Sequence, residues 1–310
     1  MKIGFFGTPS HSAYLLEKLL DSGVEVSFVV TNPDKPSGRG KELTSSPVKN
    51  LAVSKGLKVL QPTSLKLESV VCEILSHSVD LQIVYAYGAL IPKKIFDAPT
   101  FGTINLHGSI LPAFRGASPV QAAILEGLTK TGFTLQYITE ELDAGDIIST
   151  GEVEITEEDN FGTVLDKITK FGTEEILRLL NNFNGKKFPS YPQDHSKATY
   201  CKKILPESRK INFLDSAWNI HNRVRAYNPG NICYAFFREK RINIYKTRLS
   251  DQTSNLESGT LIKLDKKTIG FIAGDRKILI LEEVQPENKK VMSGLDFLNG
   301  IQLKEGEKLL

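Results

Sequence analysis

Asn105-Leu106-His107 sets an amide and an imidazole two residues apart, in a segment (residues 103–119) that begins at the end of an apolar strand. Side chains alternate along a strand, so Asn105 and His107 share one face. An amide beside an imidazole suits acyl transfer to an amine. The amide donates to the oxygen that becomes negative in a tetrahedral intermediate, and the imidazole handles the amine's proton. The same pair also fits a plain hydrogen-bonded histidine in a sheet, and spacing alone does not separate the two. Downstream, Glu140-Glu141-Leu142-Asp143-Ala144-Gly145-Asp146 lies between the apolar runs 133–138 and 147–153. As a loop it needs only polar residues and a glycine for the turn. As part of a site, it brings a carboxylate to His107, orienting the ring and stabilising its protonated form. No serine, cysteine or lysine has the setting of an activated nucleophile. The five histidines lack metal-ligand spacing, so no metal is expected.

The elements that must position these residues alternate in type over the first 150 positions. Residues 2–7, 24–30, 58–60 and 81–86 read as strands, and the stretches around Leu15–Leu20, 48–55 and 65–76 as helices. Strands separated by such helices imply right-handed crossovers and a mainly parallel sheet: an α/β, doubly wound, Rossmann-like domain. A long amphipathic helix over 160–183 closes it. Residues 184–192 carry glycine and prolines and read as a linker. Beyond them come a helix over 216–226 and five short strands (232–238, 241–248, 260–264, 268–273 and 277–284), which favour a small OB-like β-barrel. The expected division is 1–185, a linker over 186–206, and 207–310. Gly4-Phe5-Phe6-Gly7-Thr8-Pro9 is a strand-to-helix turn but not the G-x-G-x-x-G of dinucleotide sites, and no acidic residue stands at the ribose position after the second strand, where Thr31-Asn32-Pro33 sits.

At 310 residues with 40% hydrophobic and 24% charged content, the chain is long and apolar enough to bury a core, which excludes disorder as its main state. Three separated cysteines argue against a disulfide scaffold and for a reducing compartment. No apolar run approaches the roughly 20 residues of a membrane span, and the apolar start is too short for a signal peptide. A cytoplasmic monomer without membrane contact is the expectation. Charge is uneven: residues 196–250 carry 12 basic against 3 acidic side chains, a candidate polyanion face or an ordinary lysine-rich surface.

Taken together, Asn105-Leu106-His107, Ser109-Ile110-Leu111-Pro112-Ala113-Phe114-Arg115-Gly116 and Asp143-Ala144-Gly145 resemble the signature of the folate-dependent formyltransferases. Two further stretches are similar to the branch of that family acting on methionyl-tRNA. Residues 33–49, Pro33-Asp34-Lys35-Pro36-Ser37-Gly38-Arg39-Gly40-Lys41 and onward, look like its inserted tRNA-contacting loop. Residues 198–204 look like its inter-domain junction. The likeness covers nearly the whole chain and departs at Asn228-Pro229-Gly230, shorter than the family's usual tryptophan-containing stretch. The resemblance implies 10-formyltetrahydrofolate as donor and the methionine α-amine of initiator Met-tRNA as acceptor. It implies Asn105, His107 and Asp143 as the catalytic set. It places the folate against Tyr87, Gly88 and Leu90 and against Ser109, Ile110, Leu111 and Pro112, and the tRNA against Lys35, Arg39 and Lys41.

Arg39 stands between Gly38 and Gly40, where a guanidinium can grip a phosphate with two parallel donors and a lysine only as a point charge. A charge-assisted hydrogen bond is worth roughly 1.5–3 kcal/mol, so Arg39→Ala is expected to cut formylation of Met-tRNA by about 10- to 150-fold. Arg39→Lys should recover only part of the loss, and folate affinity should not move. Steady-state kinetics with saturating folate checks this; unchanged Met-tRNA kinetics would return the loop to an ordinary solvated one.

Overall fold

Five of the six residues of β1 (Lys2–Gly7) are buried, as befits a strand covered by helices on both sides. In a computed structural model, which describes residues 1–37 and 42–310, β1 is an interior strand of a seven-stranded sheet. The other strands are β2 (Glu25–Val30), β3 (Val59–Leu60), β4 (Leu81–Tyr85), β5 (Thr103–His107), β6 (Lys130–Tyr137) and β7 (Ile147–Glu154). Their order is β7-β6-β5-β4-β1-β2-β3. The pairs β1–β2, β1–β4, β4–β5 and β2–β3 are parallel, whereas β6 runs antiparallel to β5. The expected mainly parallel, Rossmann-like sheet is thus present, with the chain reversing direction next to the strand that carries Asn105 and His107.

Helix α1 (Ser10–Asp21) buries Leu15, Leu16 and Leu19, the i, i+1, i+4 set of one apolar stripe. Helix α2 (Pro47–Ser54) starts where Ser46 accepts from the Lys49 N–H and proline fills the first turn, a favourable N-terminus. Helices α3 (Glu68–Ser76), α4 (Lys93–Phe96), α5 (Pro119–Leu125) and α6 (Phe161–Asn181) follow. Between β2 and α2, residues Lys35–Ser37 pair antiparallel with Glu42–Thr44. Arg39 and Lys41 lie outside the described residues, and Lys35 is exposed. Asp34 anchors the base of this ribbon, accepting from Lys49 Nζ at 2.5 Å and Gln61 Nε2 at 2.8 Å. The Lys49 bond, first among several, holds its carboxyl below the usual range.

Two compact units divide the chain. The first comprises Met1–Pro119, Thr131–Glu154 and Leu165–Cys201, and the second Val120–Lys130, Ile155–Val164 and Lys202–Leu310. In the first unit, the proline-punctuated stretch after α6 is packed. Tyr191 and Ile147 exchange backbone hydrogen bonds at 2.8 and 3.0 Å, and the Tyr137 hydroxyl donates to the carbonyl of the buried Phe188. Proline and glycine there signal the absence of regular structure, not of contact.

In the second unit, α7 (Ala217–Tyr227) is capped by Ser216. An antiparallel sheet follows, of β8 (Cys233–Phe237), β9 (Lys240–Thr253), β10 (Leu261–Lys263), β11 (Ile269–Ile272) and β12 (Lys277–Pro286), in the order β8-β9-β12-β11-β10. A short β13 (Met292–Ser293) adds to β12, ahead of α8 (Gly294–Ile301). Residues 307–310 join the two edges. Phe236 of β8 exchanges backbone bonds with Leu310 at 2.8 and 2.9 Å, while Leu261 of β10 donates to Glu307 and Leu309 donates to Gly259. The sheet is thereby closed into the small barrel that the strand spacing implied. Within the same unit, the buried Arg225 of α7 donates to the carbonyls of Thr156 (2.7 Å), Glu157 (3.3 Å) and Asp159 (3.1 Å). Among the described residues no helix is long and apolar enough to cross a membrane.

Leu309 is 1% exposed and sits on the segment that closes the barrel. Leu309→Ala should cost about 2–5 kcal/mol, the usual penalty for emptying a buried leucine site, read as a lower urea midpoint for the second unit. A change below about 0.5 kcal/mol, as for an ordinary surface site, would mean the closure contributes little.

Candidate active site

His107 ends β5 and is 5% exposed. Its Nε2 lies 3.0 Å from the carbonyl oxygen of Phe114. A carbonyl only accepts, so Nε2–H donates there and Nδ1 is the nitrogen left to bind or release a proton. Nδ1 faces Asp143 Oδ1 at 3.6 Å, too long for a direct hydrogen bond but close for opposite charges when the ring is protonated. The carboxylate inferred from the sequence to meet His107 does so.

Asp143 is fixed from several sides. Its Oδ2 accepts the Gly116 N–H at 2.8 Å and its Oδ1 accepts Gln136 Nε2 at 3.1 Å. Its backbone is left-handed at φ 52°, a conformation that aspartate tolerates better than most residues. Two glycines make this posture possible. A Cβ at Gly145 would lie 1.8 Å from the Tyr137 carbonyl oxygen, and one at Gly116, whose φ is +121°, would lie 2.3 Å from the Cys201 carbonyl oxygen.

Strand β6 supports the site from the same face, because directly opposed residues of neighbouring strands point the same way. Gln136 stands opposite Asn105 and Thr134 opposite His107. Gln136 holds Asp143. Thr134 Oγ1 donates to the Ser109 carbonyl (2.8 Å) and accepts the Leu111 N–H (3.0 Å), fixing the loop that follows β5. Asn105 itself is half-buried, and among the described residues its side-chain amide is in no hydrogen bond. That leaves a donor free beside a histidine whose orientation is set.

The other residues implicated from the sequence lie at the ends of β4 and β5, the strand ends where ligands collect in open α/β sheets. After β5, Ser109 and Leu111 are buried and Ile110 and Pro112 half-buried, with Ser109 Oγ donating to the Ala113 carbonyl at 2.6 Å. After β4, the chain turns through Ala86 (φ 49°) and Gly88 (φ 83°). Leu90 is 74% exposed there. Tyr87 does not offer its ring: the side chain is buried in the core against Phe6, with centroids 5.6 Å apart, and its carbonyl accepts from Asn32. Among the described residues, the N–H groups of residues 87–91 are in no hydrogen bond. An exposed apolar side chain and open backbone groups next to the Ser109–Pro112 turn suit a flat heterocycle with polar edges, as a pterin has.

Sequence reasoning missed Gln136, Gln193 and the binding partners of Arg115. Arg115, 1% exposed, donates from Nε (3.2 Å) and Nη2 (2.7 Å) to Gln193 Oε1, and from Nη1 to Glu141 and the Tyr200 hydroxyl. Gln136 alternates with core residues along an apolar strand, and a buried glutamine leaves that signal unchanged. Gln193 sits in the stretch read as linker, where nothing in the sequence singles it out. Of the other histidines, burial pushes His11 and His221 down to about 4, so both are neutral near pH 7. His221 is bonded to Thr247 Oγ1 at 3.0 Å. Among the described residues, no group of three or more His, Cys, Asp or Glu is gathered as a metal site would require.

Residues 1–180 match the family described as Formyl transferase, and residues 203–302 match Formyl transferase, C-terminal domain. A methionyl-tRNA formyltransferase of Leptospira interrogans serogroup Icterohaemorrhagiae serovar copenhageni is 50% identical over 312 residues, 99% of either chain. One of Bacillus subtilis is 37% identical over 308 residues, covering 99% of this chain and 97% of its own. Among solved structures, HypX from Aquifex aeolicus in complex with tetrahydrofolic acid superposes with a TM-score of 0.68 at 18% identity. That match takes in 99% of this chain but only 48% of HypX, so the likeness is one of fold. With both segments matched in order and a half-identical relative aligned end to end, the chain belongs to the formyl transferase family.

Proposed function

We propose that this chain transfers the formyl group of 10-formyltetrahydrofolate to the α-amine of methionine on initiator Met-tRNA. The observation that carries the reading is the free Asn105 amide beside a His107 locked between the Phe114 carbonyl and Asp143. Relatives named methionyl-tRNA formyltransferase, aligned over 99% of this chain, support the choice of acceptor. When bound, the folate supplies an activated one-carbon acyl group. Asn105 donates to its oxygen as negative charge develops there. His107 Nδ1 receives the proton released by the attacking amine, directly or through one water, and Asp143 faces the resulting positive charge from 3.6 Å. The backbone groups of Tyr87, Gly88 and Leu90, with Ser109, Ile110, Leu111 and Pro112, meet the pterin. The amine attacks the formyl carbon itself. As the tetrahedral intermediate collapses, the bond from that carbon to N10 of the folate breaks, and the proton taken up by His107 passes to N10. Tetrahydrofolate thus leaves neutral, and the scheme needs neither a nucleophile on the protein nor a metal.

On this reading residues 1–185 hold the reacting groups, 186–206 lead to the later part of the chain with 186–201 packed in the first unit, and 207–310 grip the tRNA together with Lys35, Arg39 and Lys41. The enzyme acts as a cytoplasmic monomer in translation initiation. Net positive charge over 196–250 supports the assignment of the polyanion to that part of the chain.

Two results are expected. Labelled formyl should pass to Met-tRNA and not to a free amino sugar or water, and Asn105→Ala, His107→Ala and Asp143→Ala should each lower turnover by at least roughly 100-fold. Folate binding, measured by calorimetry, should persist; near-normal turnover in one variant removes that residue from the scheme. Secondly, Met-tRNA binding should weaken steeply with rising salt through counterion release, far more than folate binding does. Equal salt slopes for the two ligands would contradict the charge argument.

A further inference from the structure

Gln193 is 6% exposed although its stretch of chain has no regular secondary structure. The guanidinium of Arg115 reaches its Oε1 with two N–H groups, at 3.2 and 2.7 Å, which fixes which end of the amide is oxygen. Its Nε2 then faces three acceptors: the carbonyls of Asp143 (2.9 Å) and Gly145 (2.7 Å) and Gln136 Oε1 (3.2 Å). The first two belong to the turn on which Asp143 takes its left-handed conformation. The third aligns the amide that holds Asp143 Oδ1.

We propose that Gln193 is a positioning residue for formyl transfer: anchored by Arg115, it sets the Asp143 turn so that the carboxylate faces His107. The proposal rests on the role assigned to the His107–Asp143 pair. Gln193 is bonded to the backbone and the side-chain partner of Asp143 and not to His107, so it acts through Asp143. Glutamine suits the place for a physical reason. A glutamate would keep the two Arg115 bonds but turn lone pairs toward three acceptors. A methionine of equal length would leave those acceptors and the Arg115 Nε–H unmatched, which is costly in a buried setting.

The test uses full-length Gln193→Met and Gln193→Glu beside the unmodified protein. Three quantities are measured: kcat and KM with Met-tRNA and folate, the thermal midpoint, and the 15N spectrum of the His107 ring without substrates, assigned by difference from His107→Asn. Misplacing a reacting group by about 1 Å costs on the order of 100-fold. Both variants should therefore lose roughly 10- to 100-fold in kcat with KM values within about twofold, and the His107 ring signals should shift. A lowered midpoint with unchanged kcat and an unchanged ring spectrum would reduce Gln193 to a clamp for its own segment and overturn the proposal. If Gln193→Met fails to fold, Gln193→Glu, which keeps the Arg115 contacts, decides by the same measurements. An unmodified protein that does not formylate Met-tRNA overturns the functional reading alone, because the ring spectrum needs no substrate.

Discussion

A carboxylate that faces a buried imidazole without moving is the constraint on which the first unit turns. Asp143 is held by a backbone N–H from Gly116 and an amide from Gln136, with its own backbone in a left-handed turn. Each of these supports requires a particular residue type somewhere else. Gly145 and Gly116 are glycines because carbonyl oxygens occupy the space a Cβ would take. The short strand Arg115–Gly116 is in turn pinned by Thr199 and Cys201, since Arg115 N–H donates to the Thr199 carbonyl at 2.8 Å and Ala117 N–H to the Cys201 carbonyl at 3.3 Å.

The direction of β6 follows from the same need. Placed antiparallel against β5, it sets Thr134 and Gln136 opposite His107 and Asn105, and these two side chains fix the 109–111 loop and the Asp143 carboxylate. Here the chain leaves β6 directly into the loop carrying Asp143, so one strand delivers both the support and the carboxylate. The arrangement freezes His107 and Asp143 while leaving the Asn105 amide open, which is how a donor should stand if its partner is a charge that exists only during reaction.

Much of this was legible in the residues. The apolar runs of β1, β2 and β4 and the stripe of α1 announced a covered parallel sheet, and the i, i+2 spacing put Asn105 and His107 on one face. That the loop 140–146 would bring a carboxylate to His107 was legible from its place between two apolar strands, but which of its four carboxylates does so came only from the family resemblance, which implied Asp143. The contribution of β6 was not, because a buried Gln136 keeps the alternation of its strand and a hydrogen bond leaves no periodicity. The resemblance set Tyr87 against the folate, yet its ring lies in the core: a tyrosine after a strand reads the same whether it turns in or out. Residues 186–201 illustrate the same limit, as proline and glycine mark irregular backbone without saying whether it is packed. Nor does any signal in the sequence announce that residues 120–130 and 155–164 group with the later part of the chain.

That grouping has a consequence for how the protein is made. Asp159 and its neighbours depend on Arg225, which donates to three of their carbonyls from 66 to 69 positions further along. On the ribosome, at about 5–20 residues per second, Arg225 follows Asp159 by roughly 3–13 s. During that interval the carbonyls of Thr156, Glu157 and Asp159 that Arg225 later covers stay open to water. A slow codon tract or a folding helper acting between these two positions would therefore alter the yield of folded protein without changing any residue.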